Sequence, residues 1–169
     1  MPAKRIPVDG YNVIRRTSRW NDMFRRDMEA ARSALVQHCV TMKAQHREFS
    51  EIVVIFDGDS SVASHPAPNA PGVRAIFTST GVEADERIVE AVRSGTPRET
   101  LVVSDDAEVI GKSRRLGASV ASAAQFQQGA IAHRGSTKPK PKVPDAKSDL
   151  TPSQEREINA EMRRAFGGE

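Results

Sequence analysis

The chain has 169 residues, 38% of them hydrophobic and 28% charged, which suits one compact domain with an appendage and excludes wholesale disorder. No apolar run approaches the roughly 18 residues that span a bilayer, and a single cysteine, Cys39, excludes an internal disulfide and a cysteine-cluster zinc site. The net charge of +3 hides a pattern: residues 48–111 carry 12 acidic and 4 basic side chains, while residues 1–47 carry 10 basic and 4 acidic and residues 112–147 carry 8 and 1.

In chain order, the opening residues lack the apolar core of a signal peptide, so the expected location is the cytoplasm. Ile6 to Val8 reads as a short strand that ends at Asp9-Gly10, although Pro7 cannot donate to a sheet ladder. From Asp22 to about Gln45, Phe24, Met28, Ala31, Leu35, Cys39 and Met42 recur at steps of three and four. That is one helical stripe, with Arg25, Arg26, Glu29 and Arg32 mostly on other faces.

Ile52 to Phe56 is a continuous apolar run and predicts a strand buried on both faces, ending at Asp57-Gly58. Ser60 to Gly72 is a Pro- and Ser-rich loop. Val73 to Thr78 predicts a strand, and Val82 to Arg93 a helix that buries Val82, Ile88, Val89 and Val92. Leu101 to Val103 is a further buried strand. A helix follows it to Leu116, capped by Gly117, then a short strand over Ala118 to Ala121 and a weak helix from Ser122 to about Ala132. Strands alternating with helices predict a three-layer α/β/α sandwich around a mainly parallel sheet, spanning residues 5–133.

Residues 134–150 differ in kind. They include Lys-Pro-Lys-Pro-Lys and almost nothing apolar, and predict an extended basic linker. Over 151–169, Thr151-Pro152-Ser153-Gln154 has a capping-box layout and Ile158, Met162 and Phe166 recur every four residues, which predicts a C-terminal helix.

The chemistry is expected at the carboxyl ends of the strands. Asp9, Asp57 and Asp105 each follow an apolar run, and Asp85 lies one turn into the next helix on its apolar stripe. Ligands of open α/β sheets bind at that edge. Each aspartate alone has an ordinary use as a turn former or helix cap. Together they would repel one another unless a hard divalent cation sat among them, so Mg²⁺ or Mn²⁺ is the expected cofactor. Asp105 is preferred to Asp106, which is taken as a supporting residue. Asn12 can orient Asp9 or touch a phosphate. Tyr11 and Trp20 can stack on bases or simply pack, and Cys39 is placed in the core.

The motif Asp9-Gly10-Tyr11-Asn12-Val13-Ile14 resembles the opening signature of NYN domains, part of the PIN-like nuclease superfamily, and most resembles their YacP-like group. The resemblance continues through Val53-Val54-Ile55-Phe56-Asp57-Gly58, Phe77-Thr78-Ser79, Ala84-Asp85-Glu86-Arg87-Ile88 and Val102-Val103-Ser104-Asp105. It implies a PIN-like fold and metal-dependent endoribonuclease activity that leaves a 5′-phosphate. It also implies metal ligands at Asp9, Asp57, Asp85 and Asp105, with Asp9, Asn12, Asp85 and Asp105 in catalytic roles. Arg15, Arg16, Arg19, Lys138, Lys140 and Lys142 are then the expected RNA-binding residues. RNA is the expected partner, with delivery by the translation machinery an open alternative, and no membrane is expected.

Two rival readings remain. One is an RNA-binding module of the same fold without catalysis. The other is a haloacid-dehalogenase-type phosphatase using Asp57 and Asp59. It is disfavoured because its first motif belongs on a first strand, and here a strand with its own aspartate precedes it.

Overall fold

The computed structural model describes residues 5–58 and 70–131. The basic linker, the C-terminal helix and Asp59 lie outside the described residues. Five strands form one sheet: β1 (Arg5–Asp9), β2 (Glu51–Phe56), β3 (Val73–Phe77), β4 (Leu101–Val103) and β5 (Ser119–Ala121). Their order is β3-β2-β1-β4-β5, and every pairing is parallel. The helices are α1 (Gly10–Arg16), α2 (Ser18–Arg26), α3 (Met28–Gln45), α4 (Ala84–Ser94), α5 (Ala107–Arg115) and α6 (Ala123–Gln127).

Strand side chains alternate between two cores, as the pleat requires. Ile6, Val8, Ile52, Val54, Phe56 and Val103 pack with Leu35, Cys39 and Phe126 from α3 and α6. Val53, Ile55 and Val102 pack with Ile88 and Val92 of α4 and Val109 of α5. The result is the expected three-layer sandwich, with a sheet that is wholly parallel. Among the described residues no helix is long and apolar enough to cross a membrane.

Pro7 sits in β1, the central strand. Against β2 the register is continuous, with Pro7 opposite Val53. Against β4, pairing occurs at Arg5↔Thr100 and Val8↔Val103, with nothing between. The two missing steps are those that would use the N–H proline lacks. The strand survives because its β2 ladder and both apolar faces are intact.

The helix expected over Asp22 to Gln45 is in fact two. Asp27 is extended and its side chain accepts a hydrogen bond from the Ala30 N–H at 3.0 Å, capping α3. The apolar stripe runs in register across this cap, so periodicity alone conceals it. Met28, placed on the stripe, is 42% exposed at the new helix start. Val82, expected on a buried helical face, precedes α4 and is exposed. The last expected helix is short: α6 spans Ala123–Gln127, opened by a Ser122–Gln125 capping box.

Candidate active site at the carboxyl edge

The chain order reverses between β1 and β4, the place where ligands of doubly wound sheets bind. Asp9 ends β1 and is only 6% exposed. Ser104, fully buried just past β4, donates its hydroxyl hydrogen to Asp9 Oδ2 at 3.0 Å and accepts from the Asp106 N–H at 3.0 Å. One hydroxyl therefore ties the two strand ends together. Asn12, in the first turn of α1, accepts from the Asp105 N–H at 2.9 Å, a second tie across the same gap.

The other carboxylates stand on helix starts. Asp57 Oδ1 accepts from the Ala84 N–H at 2.6 Å, which fastens the end of β2 to the start of α4. Gly58 is confined there, since a Cβ would run into the carbonyl oxygen of Thr78 and its N–H donates to Thr78 Oγ1 at 3.0 Å. Asp85 follows in the first turn of α4. Asp105 Oδ2 accepts from the Ala123 N–H at 3.3 Å, and Asp106 caps α5 by accepting from the Glu108 and Val109 N–H groups.

Electrostatics link these groups. Burial, opposed by the Ser104 hydrogen bond, and the charges of Asp85 and Asp57 raise the Asp9 pKa from 3.8 to about 6. Burial and the charges of Asp106 and Asp57 raise that of Asp85. Among the described residues no Lys or Arg forms an ion pair with Asp9, Asp57, Asp85, Asp105 or Asp106. Lys112 is bonded to Glu108, and Asp85 lies beyond it, close enough to help raise the lysine pKa. The donor set is all carboxylate oxygen, mutually repelling and short of positive charge, which fits a hard divalent cation. The fit is one of donor chemistry. Among the described residues no three carboxylate, imidazole or thiolate groups stand close enough together to hold a metal ion.

Other candidates lie apart from this cluster. Arg15, Arg16 and Arg19 are exposed at the far end of α1 and the start of α2. Lys138, Lys140 and Lys142 fall outside the described residues. Tyr11 and Trp20 are packing residues and not free stacking platforms. The Tyr11 ring lies 5.0 Å from Phe56 and 5.7 Å from Phe24, and Trp20 is buried edge-on to His38. Cys39 is buried, which raises its thiol pKa, and it belongs to the core.

Two residues escape a reading of the sequence. Ser104 simply follows the apolar run Leu101–Val103, with no pattern marking it as a tie. Arg32, placed on an outer face, is buried and bonds Tyr11. Its spacing of three and four before the buried Leu35 and Val36 is a signal that could have found it.

The sequence matches the YacP-like NYN domain over residues 6–167. A crystal structure of Rae1 (YacP) from Bacillus subtilis superposes with a TM-score of 0.61 at 20% identity, covering 99% of this chain and 83% of that one. A tryptophan-to-leucine variant of the same protein gives 0.60 at 20% identity, covering 99% and 85%. At such identity the likeness speaks for the fold. No curated protein matches the sequence. With the family match extending over nearly the whole chain, the protein belongs to the YacP-like NYN domains, a nuclease-like family.

Proposed function

We propose that the protein is a metal-dependent endoribonuclease. The observation that carries this reading is the cluster of Asp9, Asp57 and Asp85. The charges of Asp85 and Asp57 help to raise the pKa of Asp9, and that of Asp57 helps to raise the pKa of Asp85, with no cation paired to them among the described residues. Maintaining such repulsion is costly for a fold and useful for gripping a cation. Asp9, Asp85 and Asp105, supported by Asp57, would hold Mg²⁺ or Mn²⁺. The bound ion would supply a water of lowered pKa and charge stabilisation at the phosphate.

The chain's own part is positioning. Ser104 fixes one Asp9 oxygen and favours its ionised form. Asn12 holds the Asp105 backbone, so that the β1 and β4 carboxylates keep a fixed separation. Arg15, Arg16 and Arg19, with Lys138, Lys140 and Lys142, would hold the RNA backbone through salt-sensitive contacts.

The test is cleavage of a labelled mixed RNA pool with Mn²⁺, Mg²⁺ or EDTA, by wild type, Asp9→Asn and Asp105→Asn. Metal-dependent cleavage that is lost in both variants is the expected result. RNA binding without cleavage, unchanged in the variants, would replace the nuclease by a binding module. Absence of both would return attention to a phosphate-ester substrate and Asp57.

A further inference from the structure

Arg32 of α3 is 7% exposed, yet no carboxylate pairs with it among the described residues. Its Nε and Nη2 both donate to the single hydroxyl of Tyr11, at 3.0 and 2.7 Å. The guanidinium carbon lies 5.6 Å from the centroid of the Tyr11 ring and 5.3 Å from that of Phe77. A guanidinium has five N–H donors, and one neutral hydroxyl leaves most of them unused. Burying a charge in this state is unfavourable unless an anion completes it.

Nη1 has no acceptor among the described residues, and the residue keeps 7% of its surface open.

Its place in the fold is also informative. Tyr11 lies two residues after Asp9, and Phe77, the last residue of β3, stacks at 5.3 Å on Phe56, which precedes Asp57. The guanidinium thus sits at the same sheet edge as the acidic cluster, on its β3 side. β3 lies two strand spacings from β1, about 10 Å. One nucleic acid strand can touch both.

We propose that Arg32 forms a phosphate subsite, in which Nη1 and the free N–H of Nη2 donate to a phosphate oxygen of a bound RNA strand. The inference rests on reading the acidic edge as a ribonuclease centre. Arginine suits the task because its planar fork matches phosphate oxygens. Tyr11 and Phe77 hold the fork in place, so little side-chain freedom is lost on binding. Arg32 is then a positioning residue that fixes the strand while the carboxylates act on another phosphate.

Two measurements test this. The first is fluorescence anisotropy of 3′-labelled RNA on an Asp9→Asn background, which reads binding whether or not the chain cleaves. The second is cleavage kinetics on the otherwise unaltered chain. Arg32→Gln should weaken RNA binding about tenfold and raise KM in parallel, with kcat within about twofold. Arg32→Lys keeps the charge and stem but loses the fork, and should weaken binding several-fold at an unchanged Tm.

Running both arms with 5′-phosphorylated and 5′-hydroxyl RNA locates the phosphate. Equal losses assign an internal phosphate, and a loss confined to the phosphorylated strand assigns the terminal one. The proposal is overturned if a folded Arg32→Lys binds and cleaves RNA like the unaltered chain, whatever Arg32→Gln does to the melting transition. If no variant cleaves but the anisotropy loss at Arg32 persists, the ribonuclease reading fails and the subsite stands.

Discussion

The two edges of the sheet treat negative charge in opposite ways. At the amino edge, Glu51 lies between two arginines, 3.1 Å from Arg5 and 2.6 Å from Arg74. At the carboxyl edge, Asp9, Asp57, Asp105 and Asp106 accept from a hydroxyl and from backbone N–H groups, with no ion-paired cation among the described residues. Backbone and hydroxyl donors fix a carboxylate in space but do not cancel its charge. The carboxylate at the amino edge is thus balanced by ion pairs, and those at the carboxyl edge are not, among the described residues. Family membership alone would not reveal that division, because it follows from which partners each carboxylate has.

The largest effect should come from breaking the carboxyl edge at its centre. Asp9→Asn is expected to lower metal-dependent RNA cleavage by at least about 100-fold, since even supporting groups around metals are worth 10–100-fold. The same change should stabilise the metal-free fold at neutral pH. The folded Asp9 pKa is about 6 against 3.8 for the ordinary group. Between those values the folded chain holds a proton that the unfolded chain has released. Stability from this group is therefore full below pH 4 and is lost as pH rises through 6. The loss by pH 8 is about 3 kcal/mol. Asparagine has no such term. Urea unfolding in EDTA should show Asp9→Asn gaining on wild type by about that amount between pH 4 and pH 8. Saturating Mg²⁺ should narrow the gap. A gap that does not vary with pH would mean that the edge is not charge-frustrated.

Next in size is the turn that carries Asp57. Gly58→Ala would drive a methyl group into the Thr78 carbonyl, which is backbone and cannot step aside. The expected cost is about 2–3 kcal/mol, read as a lower urea midpoint with unchanged m-value. Cleavage should fall as well, because the same turn aims Asp57 at α4. Ser104→Ala is smaller. It removes one donor to Asp9 and one acceptor for the Asp106 N–H, at a cost of about 1–2 kcal/mol. The Ser104 bond lowers the Asp9 pKa, so its loss should move the acid limb of the pH–rate profile to higher pH. An unmoved limb would mean that another group sets it.

The sequence carried much of this arrangement, because the parallel sheet is written in unbroken apolar runs such as Ile52–Phe56 and Leu101–Val103, each ending in a carboxylate or one residue short of it. What it concealed follows from how signals overlap. Asp27 ends one helix and caps the next, yet the apolar stripe continues through it, so periodicity reports a single helix. Arg32 reads as lying mostly off the apolar stripe, although its spacing from Leu35 and Val36 places it inward. Its burial depends on Tyr11 and Phe77, which are far away in sequence. Asp106 reads in the sequence as a supporting residue, and in the structure it caps α5. That its charge bears on Asp85 depends on the packing of α4 beside α5, which no local pattern encodes.

The amino edge supplies the smallest expected effect and the sharpest control. Glu51→Gln removes the charge that Arg5 and Arg74 share. Both arginines are more than a third exposed, at 39% and 56%, so solvent already screens the pairs. The cost should be about 0.5–1 kcal/mol, and it should shrink further in 1 M salt. Unlike Asp9→Asn, the change should leave RNA cleavage unaltered and should not respond to Mg²⁺. It should also show no transition near pH 6, because its partners are arginines that remain charged throughout. A Mg²⁺-dependent shift in Glu51→Gln would show that the two edges are coupled through the strands. Its absence, beside a clear shift in Asp9→Asn, would place the need for a ligand at the carboxyl edge alone.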